Sequence, residues 1–122
     1  MTPLWERLAE PARERLFALM RSLDAAADDY FRKGRETPNT IPVGAALFDE
    51  TLRGAVRFEL VMALRVATSL DDAQARASKA VRLWVEKHNA RRPDINWKRW
   101  TEAGQDELVR LVDRTEKEIL GS

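Results

Sequence analysis

"LVMALRVA", residues 60–67, sets seven apolar side chains around a single charge, Arg65. On a helix, eight residues make about two turns, so apolar groups point in nearly every direction. Such a helix is buried by neighbours on several sides, and its natural setting is a helical bundle. The pattern around it predicts a helix from Ala45 to Thr68. Gly54 within that span costs about 1 kcal/mol relative to alanine, a cost that a close helix crossing would explain.

Working outward, the flanking segments repeat helical spacing. Ser69 is placed to cap the next helix, with Asp71 and Asp72 in its first turn. The inward face expected there is Ala73, Ala77, Ala80, Val81, Trp84 and His88, ending near residues 89–94, "NARRPD". A last helix is expected from about Trp97 to Leu120, with Leu108, Leu111, Val112, Thr115 and Ile119 in register and Gly121 just past its end. Gly104 is expected to separate a short first turn from its main body.

Towards the N-terminus, "GRETPNTIPVG", residues 34–44, carries two prolines and two glycines and reads as a mobile connection. Before it, Leu16, Leu19, Met20, Leu23, Ala26, Ala27, Tyr30 and Phe31 share one face of a helix running from Pro11 to Lys33, with Gly34 as its stop. Thr2 and Pro3 form a cap and first-turn pair for a short leading helix, "PLWERLAE". No segment alternates apolar and polar residues over strand length, and there is no internal repeat. The expected architecture is all-α: residues 1–122 as one domain, a bundle of four main helices plus a short N-terminal helix.

Composition narrows the chemistry. At 122 residues, 44% hydrophobic and 34% charged, the chain is long enough for one core. It has no cysteine, which excludes disulfides, thiolate metal sites and thiol nucleophiles. No basic region followed by an apolar run opens the chain, so no secretory signal is expected. The longest stretch free of charged residues, Thr37 to Phe48, is too short and proline-rich to span a bilayer, and a cytoplasmic protein without membrane contact is expected. Arginine outnumbers lysine 16 to 5, a bias read as GC-rich coding in preference to a need for phosphate or carboxylate forks.

Catalytic and metal motifs are largely missing. His88 is the single histidine, and Val85 stands three residues before it, so the Glu-x-x-His element of a di-iron site is absent. No phosphate loop, dinucleotide turn or zinc helix is present. Ser69 or Ser78 could be matched with His88 on paper, but no nucleophile elbow supports a triad. Neither a metal nor a cofactor is expected. Arg82 followed by His88, in "RLWVEKH", resembles the Arg–His signature of HEPN-type ribonucleases, which are small all-helical domains. That resemblance implies RNA cleavage at the pair. The residue after Arg82 is apolar here, and six helical steps separate the two side chains by about 120°.

The remaining signal is "KHNARRPDINWKRW", residues 87–100, with five basic residues and two of the four tryptophans. Residues 82–100 carry a net charge of +4 and residues 101–122 a net charge of −3. If the segment faces outward, Lys87, Arg91, Arg92, Lys98 and Arg99 meet phosphates, while Trp97 or Trp100 stacks on an unpaired base. If it folds back, its charges meet Glu102, Asp106 and Glu107, and Trp97 and Trp100, three apart on one face, anchor the core. The second reading is preferred for the tryptophans, because tryptophan is largely buried in small domains. Arg91 and Arg92, before Pro93, are expected at a helix end, in an extended, exposed connection near the negative end of the helix dipole. The leading functional expectation is therefore a non-catalytic interaction or assembly module, a small subunit of a larger complex whose partner is a protein or a second copy. A nucleic-acid-backbone binder using residues 82–100 is the alternative, and a HEPN-like ribonuclease the third.

Overall fold

Five helices follow one another among the described residues: α1 (Leu4–Arg7), α2 (Glu10–Glu36), α3 (Ala45–Val66), α4 (Leu70–Arg91) and α5 (Trp97–Ile119). The computed structural model describes residues 2–36, 45–91 and 97–119, with the side chains of 30, 31, 33–36, 45–51, 88–91, 97, 100 and 119 outside that description. No strand occurs among the described residues. The architecture is the all-α bundle of four main helices with a short leading one.

The stretch from Leu60 to Ala67 sits at its centre. α3 packs against each of the other four helices, and Leu60, Val61, Leu64 and Ala67 lose all contact with solvent. Coverage is incomplete, however. Met62, Arg65 and Val66 are exposed, so one side of α3 faces outward. The apolar circumference overstated its burial, because four neighbours close only the sides they occupy.

The other helices supply narrower stripes. α2 buries Leu16, Leu19, Met20, Leu23 and Ala27. α4 buries Ala73, Ala77, Val81 and Val85 at steps of four, while Ala80 and Trp84 are half-buried. Small residues on this seam let α4 approach its neighbours closely. α5 buries Leu108, Leu111, Val112 and Thr115, and the Thr115 hydroxyl donates to the Leu111 carbonyl at 2.7 Å. Tyr30, Phe31, His88 and Ile119, also expected inside, lie outside the described side chains.

Local signals at the helix ends held in part. Ser69 Oγ accepts the Asp72 N–H at 3.0 Å, and Asp72 Oδ2 accepts the Thr68 N–H at 3.0 Å. The first bond satisfies a donor that the first turn of α4 leaves unpaired, and the second satisfies the N–H of the residue before the cap. Thr2, by contrast, caps nothing: Pro3 occupies the N-cap position of α1 without a side-chain hydrogen bond.

Two glycines did not act as expected. α2 continues through Gly34 to Glu36, so the expected connection of 34–44 begins later, and residues 37–44 lie outside the described residues. α5 is continuous through Gly104, which is buried at the crossing of three helices. A Cβ placed there would stand 3.0 Å from Val81 Cγ1 and 3.3 Å from Leu52 Cδ1. Gly104 is thus a contact point and not a break. Beside it, the Ser78 hydroxyl donates to Gln105 Oε1 at 2.5 Å, and Gln105 Nε2 donates to the Ser78 carbonyl at 3.2 Å. That pair of bonds ties α4 to α5.

Candidate functional site

The basic segment is divided between two helices. Lys87 is exposed near the end of α4, and Lys98 and Arg99 are exposed in the first turn of α5. Arg91 is the last residue of α4, at a helix end as expected. Arg92 lies outside the described residues, as do the side chains of Arg91, Trp97 and Trp100. The tryptophan anchors and the arginine pair therefore fall outside the described geometry.

Among the described ion pairs, one involves an acidic residue expected to meet this segment, Glu107. Glu107, largely buried, pairs with Arg110 on its own helix. Arg114 pairs with Glu118 at 2.8 Å and Lys117 with Asp113 at 2.9 Å. These i,i+3 and i,i+4 pairs are the geometry a helix offers for free, and they leave α5 balancing much of its charge internally. Lys79, Lys87 and Lys98 make no ion pair among the described residues.

The reactive side chains named in the sequence have structural employment. Ser69 is the α4 cap. Ser78 is held by Gln105 and also accepts from Arg82 at 3.3 Å. Arg82 is exposed on the outer face of α4, and the His88 side chain lies outside the described residues. Among the described residues, no group of three or more His, Asp or Glu side chains is placed to hold a metal ion. No helix among them is long and apolar enough to cross a membrane.

A second surface was not singled out in the sequence. It begins where α1 lies across α2. The Trp5 and Phe17 rings meet with centroids 5.5 Å apart and planes tilted by 55°, within the range of favourable aromatic pairs. Together with Met20, Arg21, Asp24 and Arg65 they line a groove of about 240 Å³ between α2 and α3. Its floor is apolar and its rim charged, with Arg65 spanning to Asp24 at 3.6 Å. The groove is smaller than ordinary small-molecule pockets of roughly 300–1,000 Å³ and suits a single apolar side chain.

Beyond Arg65 the apolar surface continues along α3. Arg65 reaches the Met62 sulfur at 3.6 Å, and Phe58 stands one turn before Met62 on the same helix. Phe17, Phe58 and Met62 retain 36%, 40% and 43% of their exposure. A periodic pattern marks which residues share a face but not which neighbours are absent, so this run had no sequence signal of its own. Phe17 is the one member with a local signal, since it falls off the Leu16–Met20–Leu23 stripe.

No protein-family model, curated protein or solved structure matches this chain.

Proposed function

We propose that the protein is a non-catalytic interaction or assembly module that meets a protein partner, or a second copy of itself, through the α2–α3 face. The observation that carries this reading is the continuous run from Phe17 through the groove and Arg65 to Met62 and Phe58. Contiguous exposed apolar surface with a charged rim is the ordinary anatomy of a contact site. The rim holds both signs, Arg21 and Arg65 beside Asp24, which helps fix orientation more than it adds affinity. The employment of Ser69, Ser78 and Arg82 in structural contacts agrees with a non-catalytic role.

The test combines Phe58→Ser with Met62→Ser. Both side chains are partly exposed, so the melting temperature should change little, while self-association in sedimentation or copurification with a protein after nuclease treatment should be lost. Retention of the association in the folded double variant would refute the α2–α3 face.

One observation favours a second reading. Lys79, Arg82 and Lys87 are all exposed on α4, and Lys79, Lys87 and Lys98 are without ion pairs among the described residues. Such a surface could neutralise a nucleic-acid backbone. On this alternative, replacing Lys79, Lys87 and Lys98 by alanine weakens oligonucleotide binding across all sequences and reduces its salt slope by about one unit per lost phosphate contact. On the leading reading, oligonucleotides do not bind even at low salt.

A further inference from the structure

α1 cannot be a helix on its own account. Its four residues fall far short of the dozen or so that an isolated helix needs in water. None of its residues is buried. What holds it comes from elsewhere in the chain. The Leu4 N–H donates to the Ala67 carbonyl at 2.8 Å, so an unpaired donor of α1 meets an acceptor just past the end of α3. At the opposite end, the Arg13 guanidinium grips the backbone. Its Nε donates to the Trp5 carbonyl at 2.9 Å, and one terminal nitrogen donates to the carbonyls of Glu6 at 2.8 Å and Leu8 at 3.4 Å. A cation here satisfies the carbonyls and complements the negative helix end. Leu8 is extended, with φ −77° and ψ 148°, and Ala9 completes a two-residue link to α2.

Trp5 and Leu8 rest against the core of α2 to α5, but only half-buried, and no residue of α1 is enclosed. Segments with this character open at lower free energy than the rest of a fold. We propose that α1 is a strap that lifts as a unit from α2 and α3, and that its closed position, clamped by Arg13, sets Trp5 as one wall of the α2–α3 groove. Lifting the strap uncovers Phe17 and Met20 on the groove wall, so the strap regulates access to the contact face. This last consequence rests on the reading of the α2–α3 face as a contact site, whereas the opening itself does not.

The absence of cysteine provides a clean assay. Met20→Cys places a thiol in the groove at a position now 6% exposed, and Leu60→Cys places one in the core at a position now 0% exposed. Maleimide labelling of each is followed with Arg13 present and with Arg13→Ala. Loss of hydrogen bonds from a charged donor should open the strap about tenfold or more, and labelling at position 20 should accelerate by that factor while labelling at position 60 does not. Equal acceleration at both positions, or none at either, would overturn the proposal. Amide exchange of the protein without substitutions gives an independent measure. The Leu4 amide should exchange at least about tenfold faster than those of Leu60 and Leu64, as expected for a local opening. Equal protection would refute the strap. Neither measurement uses a partner, so either can fail while the α2–α3 contact reading stands, and the reverse holds as well.

Discussion

At Gly104 two small effects oppose each other. Alanine would gain about 1 kcal/mol in helix propensity. Its Cβ would press on Val81 and Leu52, which are 0% and 1% exposed and would have to shift by a few tenths of an ångström. Overpacking of this kind costs about 1–3 kcal/mol, so Gly104→Ala should lower stability by about 1 kcal/mol in denaturant unfolding. A gain would show that Val81 and Leu52 reposition freely. Glu59 and Asp72 illustrate opposite linkage. Burial raises the Glu59 carboxyl above its ordinary 4.5. Its contribution is therefore most favourable below that value and diminishes as pH rises through the folded-state value. Glu59→Gln should melt higher than the parent at pH 7, with the difference closing near pH 4. A pH-independent difference would mean that the carboxyl's charge is not the cause. Asp72 is held below its ordinary 3.8, chiefly by the Thr68 N–H and then by Arg76. Its stabilisation is complete above that value and is lost as pH falls through the lowered one.

α3 is the element on which the others depend. Leu60→Ala should cost about 2–5 kcal/mol, because Leu60 is fully enclosed and α3 meets four other helices. A loss below about half a kcal/mol would make the helix peripheral. This element was legible because "LVMALRVA" is extreme enough to leave few alternatives. The stripes of α2 and α5 were legible for the same reason, as periodicity over many residues averages out local noise. Gly34 and Gly104 were misread because a glycine penalty of about 1 kcal/mol is smaller than the packing that holds a long helix together. Val85 was missed beside the larger Trp84, yet Val85 is the one enclosed. The residues that make α1 helical are Arg13 and Ala67, and the second lies some sixty positions away. No local pattern could reveal that.

Across the whole molecule, the fold was far more readable than the site. Burial is a collective property of many residues with a shared period. Which apolar residues stay exposed, as Phe58 and Met62 do, depends on where the other helices lie and not on local period. The basic residues Lys87, Lys98 and Arg99 were conspicuous because charge is visible in sequence, but visibility is not geometry, and they fall on two successive helices. The Ser78–Gln105 pair and the adjacent Gly104 have a consequence for motion. The glycine notch receives Val81, and the two hydrogen bonds between Ser78 and Gln105 hold that register from the residue beside it. Sliding α5 along α4 by one turn, about 5.4 Å, would drive a side chain into Val81 and strand the amide of Gln105. Rotation about the line of contact disturbs neither as severely. If these two helices move at all, they should pivot like the blades of scissors and not glide like a bolt, and shear is closed to this half of the molecule.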